Sequence, residues 1–118
     1  MDTEMLEQAL AVHALASIVS ERWNTDQSDR RDAHLVHIAF LLAEQFCYLN
    51  RTGVEDLDHA AGMAYVALKG HLDAGEEWRA ANDKAATDAA ADKAGASLIV
   101  AAENAAKLVA GIERQLHG

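Results

Sequence analysis

The absence of proline is the feature that most constrains what this chain can fold into. None of its 118 residues is proline, whereas 26 of them are alanine. Proline ends or kinks helices, and alanine has the highest helix propensity, so such a chain can be helical along almost its whole length. The sequence therefore predicts an all-α fold. At 12.7 kDa it also predicts a single domain with one hydrophobic core.

Apolar residues recur at alternating spacings of four and three in segments that polar stretches separate. We expect helices over about residues 3–24, 29–50, 53–81 and 88–117. Because the connections between them are short, neighbouring helices should be antiparallel. The predicted architecture is an antiparallel up-down-up-down four-helix bundle that covers residues 1–118.

Two helix starts are marked by capping residues. Ser28 or Asp29 can cap the second helix, since both side chains accept the amide protons that a helix start leaves unpaired. Thr52-Gly53-Val54-Glu55 has the form of a capping box, in which the Thr hydroxyl and the Glu carboxylate each pair one such amide. We predict that this box begins the third helix.

Residues 80–96 are the least clearly assigned segment, because they are nearly all Ala, Asp and Lys without a strong helix breaker. We predict a break between Ala81 and Asp88; the alternative is one extended helix over residues 53–117. Alanine also thins the core, because it buries about three fewer methylene-sized groups than leucine, at about 0.8 kcal/mol each. A helix-mediated homodimer, through the last helix or the alanine-rich segment, is therefore a further alternative.

Three glycines lie inside the third predicted helix, at Gly62, Gly70 and Gly75. Each costs up to about 1 kcal/mol relative to alanine in a helix interior. Small residues on a packed face let a neighbouring helix approach closely. We therefore predict close helix contacts at these positions.

The charge of the chain excludes several classes of partner. Nineteen acidic and ten basic side chains give a net charge of −9, which disfavours direct binding to nucleic acid or to an anionic membrane. Asp2, Glu4 and Glu7 occupy the place of the basic segment of a secretory signal. The single cysteine, Cys47, requires no oxidising compartment. We expect a cytoplasmic protein whose partner is basic.

The histidines suggest a second class of function. His34 and His37 have the spacing that puts two ligands on one helix face, and in an antiparallel bundle they fall near the levels of His13 and His71. A metal-binding bundle that uses these four residues is the alternative to structural histidines. No other motif indicates a cofactor or a catalytic nucleophile, and Cys47 in an apolar helix is expected to be an inert thiol.

The stretch Tyr65-Val66-Ala67-Leu68-Lys69-Gly70 resembles the Ala-His-x-Leu-Lys-Gly stretch of histidine-containing phosphotransfer domains, which are acidic four-helix bundles of about this length. Val66 occupies the position of the phosphoacceptor histidine. His71 lies at a different angle on the helix and does not replace it. The resemblance implies a docking module that lacks the phosphotransfer step.

The acidic surface is the feature from which we predict function. Residues 55–92 carry nine acidic side chains and three basic ones. A solvated face is one interpretation of such an excess, and docking on a basic surface by electrostatic steering is the other. Small acidic proteins that imitate nucleic acid, including some phage-encoded inhibitors, resemble this chain in size and charge. We therefore predict a non-enzymatic inhibitor or adaptor that docks on a basic, nucleic-acid-binding surface of another protein. The residues expected to form its docking surface are Glu55, Asp56, Asp58, Asp73, Glu76, Glu77 and Trp78.

Overall fold

The computed structural model describes residues 1–118 and contains four α-helices and no strand. The all-α prediction is confirmed. The first three helices begin and end within two residues of their predicted bounds, and the fourth begins four residues earlier than predicted. The helices are α1 (Thr3–Asn24), α2 (Arg30–Tyr48), α3 (Glu55–Ala80) and α4 (Lys84–His117).

Aspartate caps three of the four helices. The side chains of Asp2, Asp29 and Asp83 each accept a backbone N–H of the first turn that follows them, and so pair donors that have no partner inside the helix. At α2 the Asp32 carboxylate also accepts the Asp29 N–H at 3.2 Å, which completes a capping box. Of the two caps predicted for α2, Asp29 is the one that forms.

The capping box predicted at Thr52 and Glu55 is wrong. α3 begins after Val54, and no side chain caps it. Thr52 instead donates its backbone N–H and its hydroxyl to Oδ1 of Asp58, at 2.8 and 2.7 Å, and the Gly53 N–H donates to Oδ2 at 3.2 Å. The Asp58 carboxylate thus takes the Thr52 N–H that Glu55 was predicted to accept. One charged acceptor holds three donors of the connection, which stabilises it more than neutral acceptors would.

A short connection separates α3 from α4. Ala81 has an extended backbone, with φ −68° and ψ 136°, and Asp83 caps the helix that follows. The predicted break between Ala81 and Asp88 is confirmed, and the alternative of one continuous helix is wrong. α4 is nevertheless the longest helix, with 34 residues that span about 51 Å. Its length matches the longest dimension of the molecule, 52 Å.

Each helix packs against two others. The backbone of α4 lies close to those of α3 and α1, the backbone of α2 lies close to those of α1 and α3, and the backbones of the remaining pairs lie further apart. The buried face of α4 is rich in alanine, at Ala90, Ala94, Ala101 and Ala105. Since these side chains are short, they let the backbones of α3 and α1 lie close to α4.

The buried apolar side chains form two clusters along the molecule. The larger one is central and includes Leu68 and Leu98. The second includes Phe46, Leu57 and Ile112 and lies beside the connection between α2 and α3. We call the part of the molecule that holds this second cluster the packed end. It consists of residues 1–17, 38–68 and 95–118.

Some glycines lie in close contact with a neighbouring helix, but only one of the three predicted to do so is among them. Leu57 packs directly on Gly111, where an added Cβ would collide with Cδ2 of Leu57. At Gly70 an added Cβ would stand 3.3 Å from the Ser97 hydroxyl, in agreement with the prediction. Gly62 and Gly75 have no neighbouring atom within 4 Å of such a Cβ. The prediction of a close approach at Gly62 and Gly75 is therefore wrong.

α4 turns its apolar seam towards the other helices. Ala105, Val109 and Ile112 are buried inside this chain, so a second copy that bound α4 would contact other residues of the helix. By length and composition alone α4 is the one helix that could cross a bilayer, a test that the core helix of a soluble protein also passes. Of the stretch that passes this test, 39% is buried inside the protein.

Candidate functional site

An open cleft of about 560 Å³ lies where the end of α1, the start of α2, the end of α3 and the start of α4 come together. We call this part of the molecule, residues 18–37 and 69–94, the cleft end. Because five of the eight residues that α3 and α4 contribute to the wall are alanine or glycine, the helices leave the space between them unfilled. The small residues of this wall are Ala74, Gly75, Ala90, Ala91 and Ala94.

Trp23 forms a fixed aromatic wall of the cleft. Its indole lies against Gly95, where an added Cβ would stand 2.8 Å from Nε1. The indole also meets the His71 ring edge to face, with 5.5 Å between ring centroids and an interplanar angle of 82°. Any larger residue at position 95 would have to displace the indole, so Gly95 positions Trp23.

His71 is a half-buried polar group in the same wall. Its Nδ1 lies 2.9 Å from the carbonyl oxygen of Ala94. Since a carbonyl only accepts, we assign the proton to Nδ1, which leaves Nε2 of the neutral ring as an acceptor. Burial lowers the pKa of the His71 imidazole below its ordinary value of 6.5, although the hydrogen bond to Ala94 opposes this shift. His71 is therefore uncharged at neutral pH.

The connection between α1 and α2 supplies the polar wall. Nε of Arg22 lies 3.0 Å from both carboxylate oxygens of the buried Asp32. Nη2 of Arg22 donates to Oδ2 of Asp29 at 3.0 Å and to the Gln27 carbonyl at 2.7 Å. A carboxylate is buried at high cost unless it is paired and hydrogen-bonded. Arg22 thus makes the burial of Asp32 possible and holds the start of α2 against the end of α1.

The residues predicted to form the docking surface all lie on α3, but at its two ends. Three of them, Glu55, Asp56 and Asp58, are in the first turn at the packed end. About 22 Å of helix separates Asp58 from Asp73, the nearest of the others, so the seven residues do not form one patch. The four at the cleft end are Asp73, Glu76, Glu77 and Trp78.

Trp78 is the predicted residue that lies at the cleft. Its side chain is 53% exposed, and it lines the rim beside Arg79. Two of the predicted carboxylates near it are already paired: Glu76 with Arg79 at 2.6 Å and Glu77 with Lys93 at 2.8 Å. Exposed pairs of this kind contribute little to stability, so they can be exchanged for contacts with a partner at low cost.

The four histidines predicted as metal ligands do not come together. No three His, Cys, Asp or Glu side chains are grouped so that they could hold a metal ion. His34 and His37 are exposed on the outer face of α2, His13 is half-buried on α1, and His71 is bonded to a backbone carbonyl at the cleft. The geometry gives the metal-binding alternative no support.

Two other positions from the sequence have clear environments. Val66, which stands at the phosphoacceptor position of the resemblance, is 61% exposed on the outside of α3. Cys47 is half-buried, and burial raises the pKa of its thiol above the ordinary value. The Cys47 thiol is therefore protonated at neutral pH, which matches the expectation of an unreactive side chain.

Sequence reasoning missed three residues that shape the cleft: Arg22, Asp32 and Gly95. A signal existed for the first two, because an arginine near the end of one predicted helix and a carboxylate near the start of the next flank the same short connection. No comparable signal existed for Gly95, because the residues next to it in the sequence do not indicate that it contacts Trp23.

Comparisons with protein-family models, with curated proteins and with solved structures found no match to this chain. The structure defines an all-helical protein of four helices with an open, alanine-walled cleft at one end. Its function is therefore inferred from its own side chains.

Proposed function

We propose that the chain is a non-enzymatic, cytoplasmic binding protein whose antiparallel up-down-up-down bundle presents the cleft to another protein. The antiparallel arrangement is supported by the pairs between α3 and α4. Glu77 meets Lys93 near the connection between these helices, whereas Leu57 meets Gly111 far from it. Arg22 of α1 donates to Asp32 of α2 beside the connection between these helices, whereas Asn50, just after α2, donates to Gln8 far from that connection.

The exposure of Trp78 beside the cleft is the observation that carries this proposal. Tryptophan is enriched at the positions that dominate binding energy in protein interfaces, and its large ring gains most when a partner covers it. An apolar depression with a polar rim is the usual form of a binding site. We infer that an apolar side chain of the partner enters the cleft and packs against Trp78.

The distribution of charge supports a basic partner. The packed end carries nine acidic and three basic side chains, and the cleft end carries ten and seven. The summed charge sets how fast a basic partner is attracted, whereas close contacts set how long it stays bound. We assign steering to the packed end, including Glu55 and Asp56, and anchoring to Trp78. A partner surface that is basic because it binds nucleic acid is consistent with both the steering role and the anchoring role. By covering such a surface, the protein would act as an inhibitor or adaptor.

Affinity capture from an extract of the native cell tests the anchoring role of Trp78. The baits are the wild type, Trp78→Ala and, as a matched control, Val66→Ala, which removes an exposed apolar side chain from the same helix at the packed end. We expect one protein to be retained by the wild type and by Val66→Ala and to be lost from Trp78→Ala. Equal retention by all three baits would exclude the cleft as the docking site.

Charge reversal, measured on the purified pair, separates steering from anchoring. Glu55→Lys with Asp56→Lys should slow association and flatten its salt dependence while the dissociation rate stays the same. Asp58 is left intact in this variant because it holds the connection before α3. Glu76→Lys with Glu77→Lys, beside Trp78, should also speed dissociation. If both variants keep the wild-type rates at every salt concentration, the partner is not recognised through its positive charge.

A further inference from the structure

An aromatic cluster lies where α2 and α3 meet at the packed end. The Tyr65 ring stacks on Phe40, with 5.3 Å between the ring centroids and an interplanar angle of 17°. Tyr48 meets the Tyr65 ring edge to face, with centroids 5.9 Å apart. The cluster holds three of the six Phe, Trp and Tyr residues of the chain, and Tyr48 is 70% exposed. An aromatic surface is thus held in place by its own packing and left open to solvent.

A half-buried carboxylate lies beside these rings. Glu44 lines a shallow depression of about 670 Å³ together with Tyr48 and Tyr65. Its only donor within the protein is the Tyr65 hydroxyl, which lies 3.5 Å from Oε2 of Glu44. This distance is longer than an ordinary hydrogen bond between a hydroxyl and a carboxylate. Since an ionised carboxylate can accept several hydrogen bonds, Glu44 keeps most of this capacity for a ligand.

No positive charge of the chain neutralises Glu44. The residue takes part in none of the ion pairs of the structure, and no Lys, Arg or His lines its depression. Arg51 lines an adjoining depression, which also holds Asp58. A cation that binds beside Glu44 is attracted by a charge that has no counter-ion within the chain. The same carboxylate would repel its equivalent in a second copy, so the depression favours a cationic ligand.

The aromatic rings indicate which cation fits. A cation within about 6 Å of an aromatic ring is attracted by the face of the ring, and arginine makes such contacts more often than lysine. Because the guanidinium group is flat, it can stack on Tyr48 while two of its N–H groups donate to Glu44. Leu41 and Leu49 line the same depression and can cover the methylene stem of an arginine. Small-molecule sites enclose most of their ligand, so this shallow site suits a side chain that a larger partner holds in place.

We infer that the depression beside Glu44 binds an arginine side chain of a partner protein, with the guanidinium group placed between the Tyr48 ring and the Glu44 carboxylate. A net charge of −9 attracts basic proteins, which agrees with this ligand. The site goes beyond the proposed function, because neither Trp78 nor the cleft takes part in it. The packed end thus provides a close contact in addition to long-range attraction.

An NMR titration of the whole protein tests the site with N-acetyl-arginine amide, whose only charge is on its side chain. Concentrations up to about 50 mM, at constant ionic strength, cover the millimolar affinity expected of a single side chain. We expect saturable shifts of the backbone amides of Leu41, Glu44, Tyr48 and Tyr65. The citrulline analogue has the same shape without the charge and should cause no saturable shift. The lysine analogue should bind more weakly, because an ammonium group is not flat and cannot stack on a ring.

Three variants assign the binding to particular side chains. Glu44→Gln keeps the size of the side chain and removes its charge, and it should weaken binding of the arginine probe at least about fivefold. Tyr48→Leu removes the ring from an exposed position and should also weaken binding. Glu103→Gln is the matched control for charge, since Glu103 is exposed on α4 and is in no ion pair either. It should bind the probe as the wild type does. The amide spectrum of each variant shows directly whether it is folded.

Three results would overturn the inference. They are the absence of saturable shifts with the arginine probe, shifts confined to residues around the cleft, and equal affinities of the wild type and Glu44→Gln. Equal binding of the arginine and lysine probes would overturn the assignment to arginine. The titration uses no captured partner, and Trp78→Ala should bind the probe as the wild type does. Failure of this site and failure of capture through Trp78 are therefore distinguishable.

Discussion

At the packed end, Phe46, Leu57 and Ile112 are large apolar side chains that are buried together. At the cleft end the same helices α3 and α4 bury Ala74, Ala90 and Ala94 around a cleft of about 560 Å³. The helices continue through both ends, so the backbone path does not explain the difference. Side-chain size does, because protein interiors are filled by interlocking side chains and an alanine wall leaves a gap. We therefore expect stability to be concentrated at the packed end and binding at the cleft end.

The largest expected effect is at the packed end. Phe46→Ala removes a fully buried ring from the second cluster and should lower the free energy of unfolding by about 3–5 kcal/mol. Trp78→Ala, which removes the larger side chain at the cleft end, should cost less than about 1 kcal/mol because that ring is half exposed. Urea unfolding of the two variants measures both. If Trp78→Ala lowered the free energy of unfolding more than Phe46→Ala, the cleft end would contribute more to stability than the packed end.

The polar wall of the cleft is the exception to this division. Arg22→Met leaves the Asp32 carboxylate buried without its partner and should cost about 2 kcal/mol, less than a fully buried pair because Arg22 is partly exposed. Arg31→Met is the matched control: Arg31 is exposed and pairs only with Asp29, so no measurable change is expected. Urea unfolding measures the free energy of unfolding of both variants. Equal stabilities for the two variants would show that Asp32 does not depend on Arg22.

Alanine substitutions of two glycines should have opposite signs at the two ends. Gly111→Ala would drive a methyl group into Leu57 and should destabilise the protein by about 1–3 kcal/mol. Gly75→Ala meets no atom within 4 Å and should stabilise α3 by up to about 1 kcal/mol. Thermal unfolding followed by circular dichroism resolves the two signs. A destabilised Gly75→Ala would indicate that the cleft is closed in solution.

The smallest expected effect concerns pH. Burial lowers the pKa of His71 in the folded protein, so the unfolded chain takes up a proton near pH 6.5 while the folded protein does not. Titration of His71 therefore leaves the free energy of unfolding unchanged above pH 6.5 and lowers it as the pH drops towards the pKa of His71 in the folded protein. His71→Asn keeps a donor for the Ala94 carbonyl without the titration. Melting temperatures of both proteins between neutral and acidic pH should converge as the pH falls. Parallel curves would show that His71 is not desolvated.

The number and bounds of the helices could be predicted because they depend on local chemistry. The missing prolines, the apolar period and the cap at Asp29 each act within a few residues. The start of α3 could not be predicted in detail, since Thr52 has two possible acceptors, and the choice of Asp58 over Glu55 depends on how the connection folds. Local chemistry thus determines which segments are helical, and the folded connection determines how each one starts.

The site was predicted less completely than the fold. Trp78 and the alanine-rich segment were visible in the sequence, but spacing alone could not show that the predicted carboxylates lie at opposite ends of α3. It also could not show that Gly70 faces a neighbouring helix while Gly75 faces open space. Both facts depend on which helix lies opposite, and that is a property of the packed structure.

The most direct test of the account is to fill the cleft and then measure partner binding. Gly75→Leu places a large side chain in the cleft, and Gly62→Leu, on the same helix and equally free of neighbours, is the matched control. We predict that both variants fold with melting temperatures no lower than that of the wild type, that Gly62→Leu retains the captured partner, and that Gly75→Leu loses it. A folded Gly75→Leu that still binds the partner with wild-type affinity would contradict the assignment of function to the cleft.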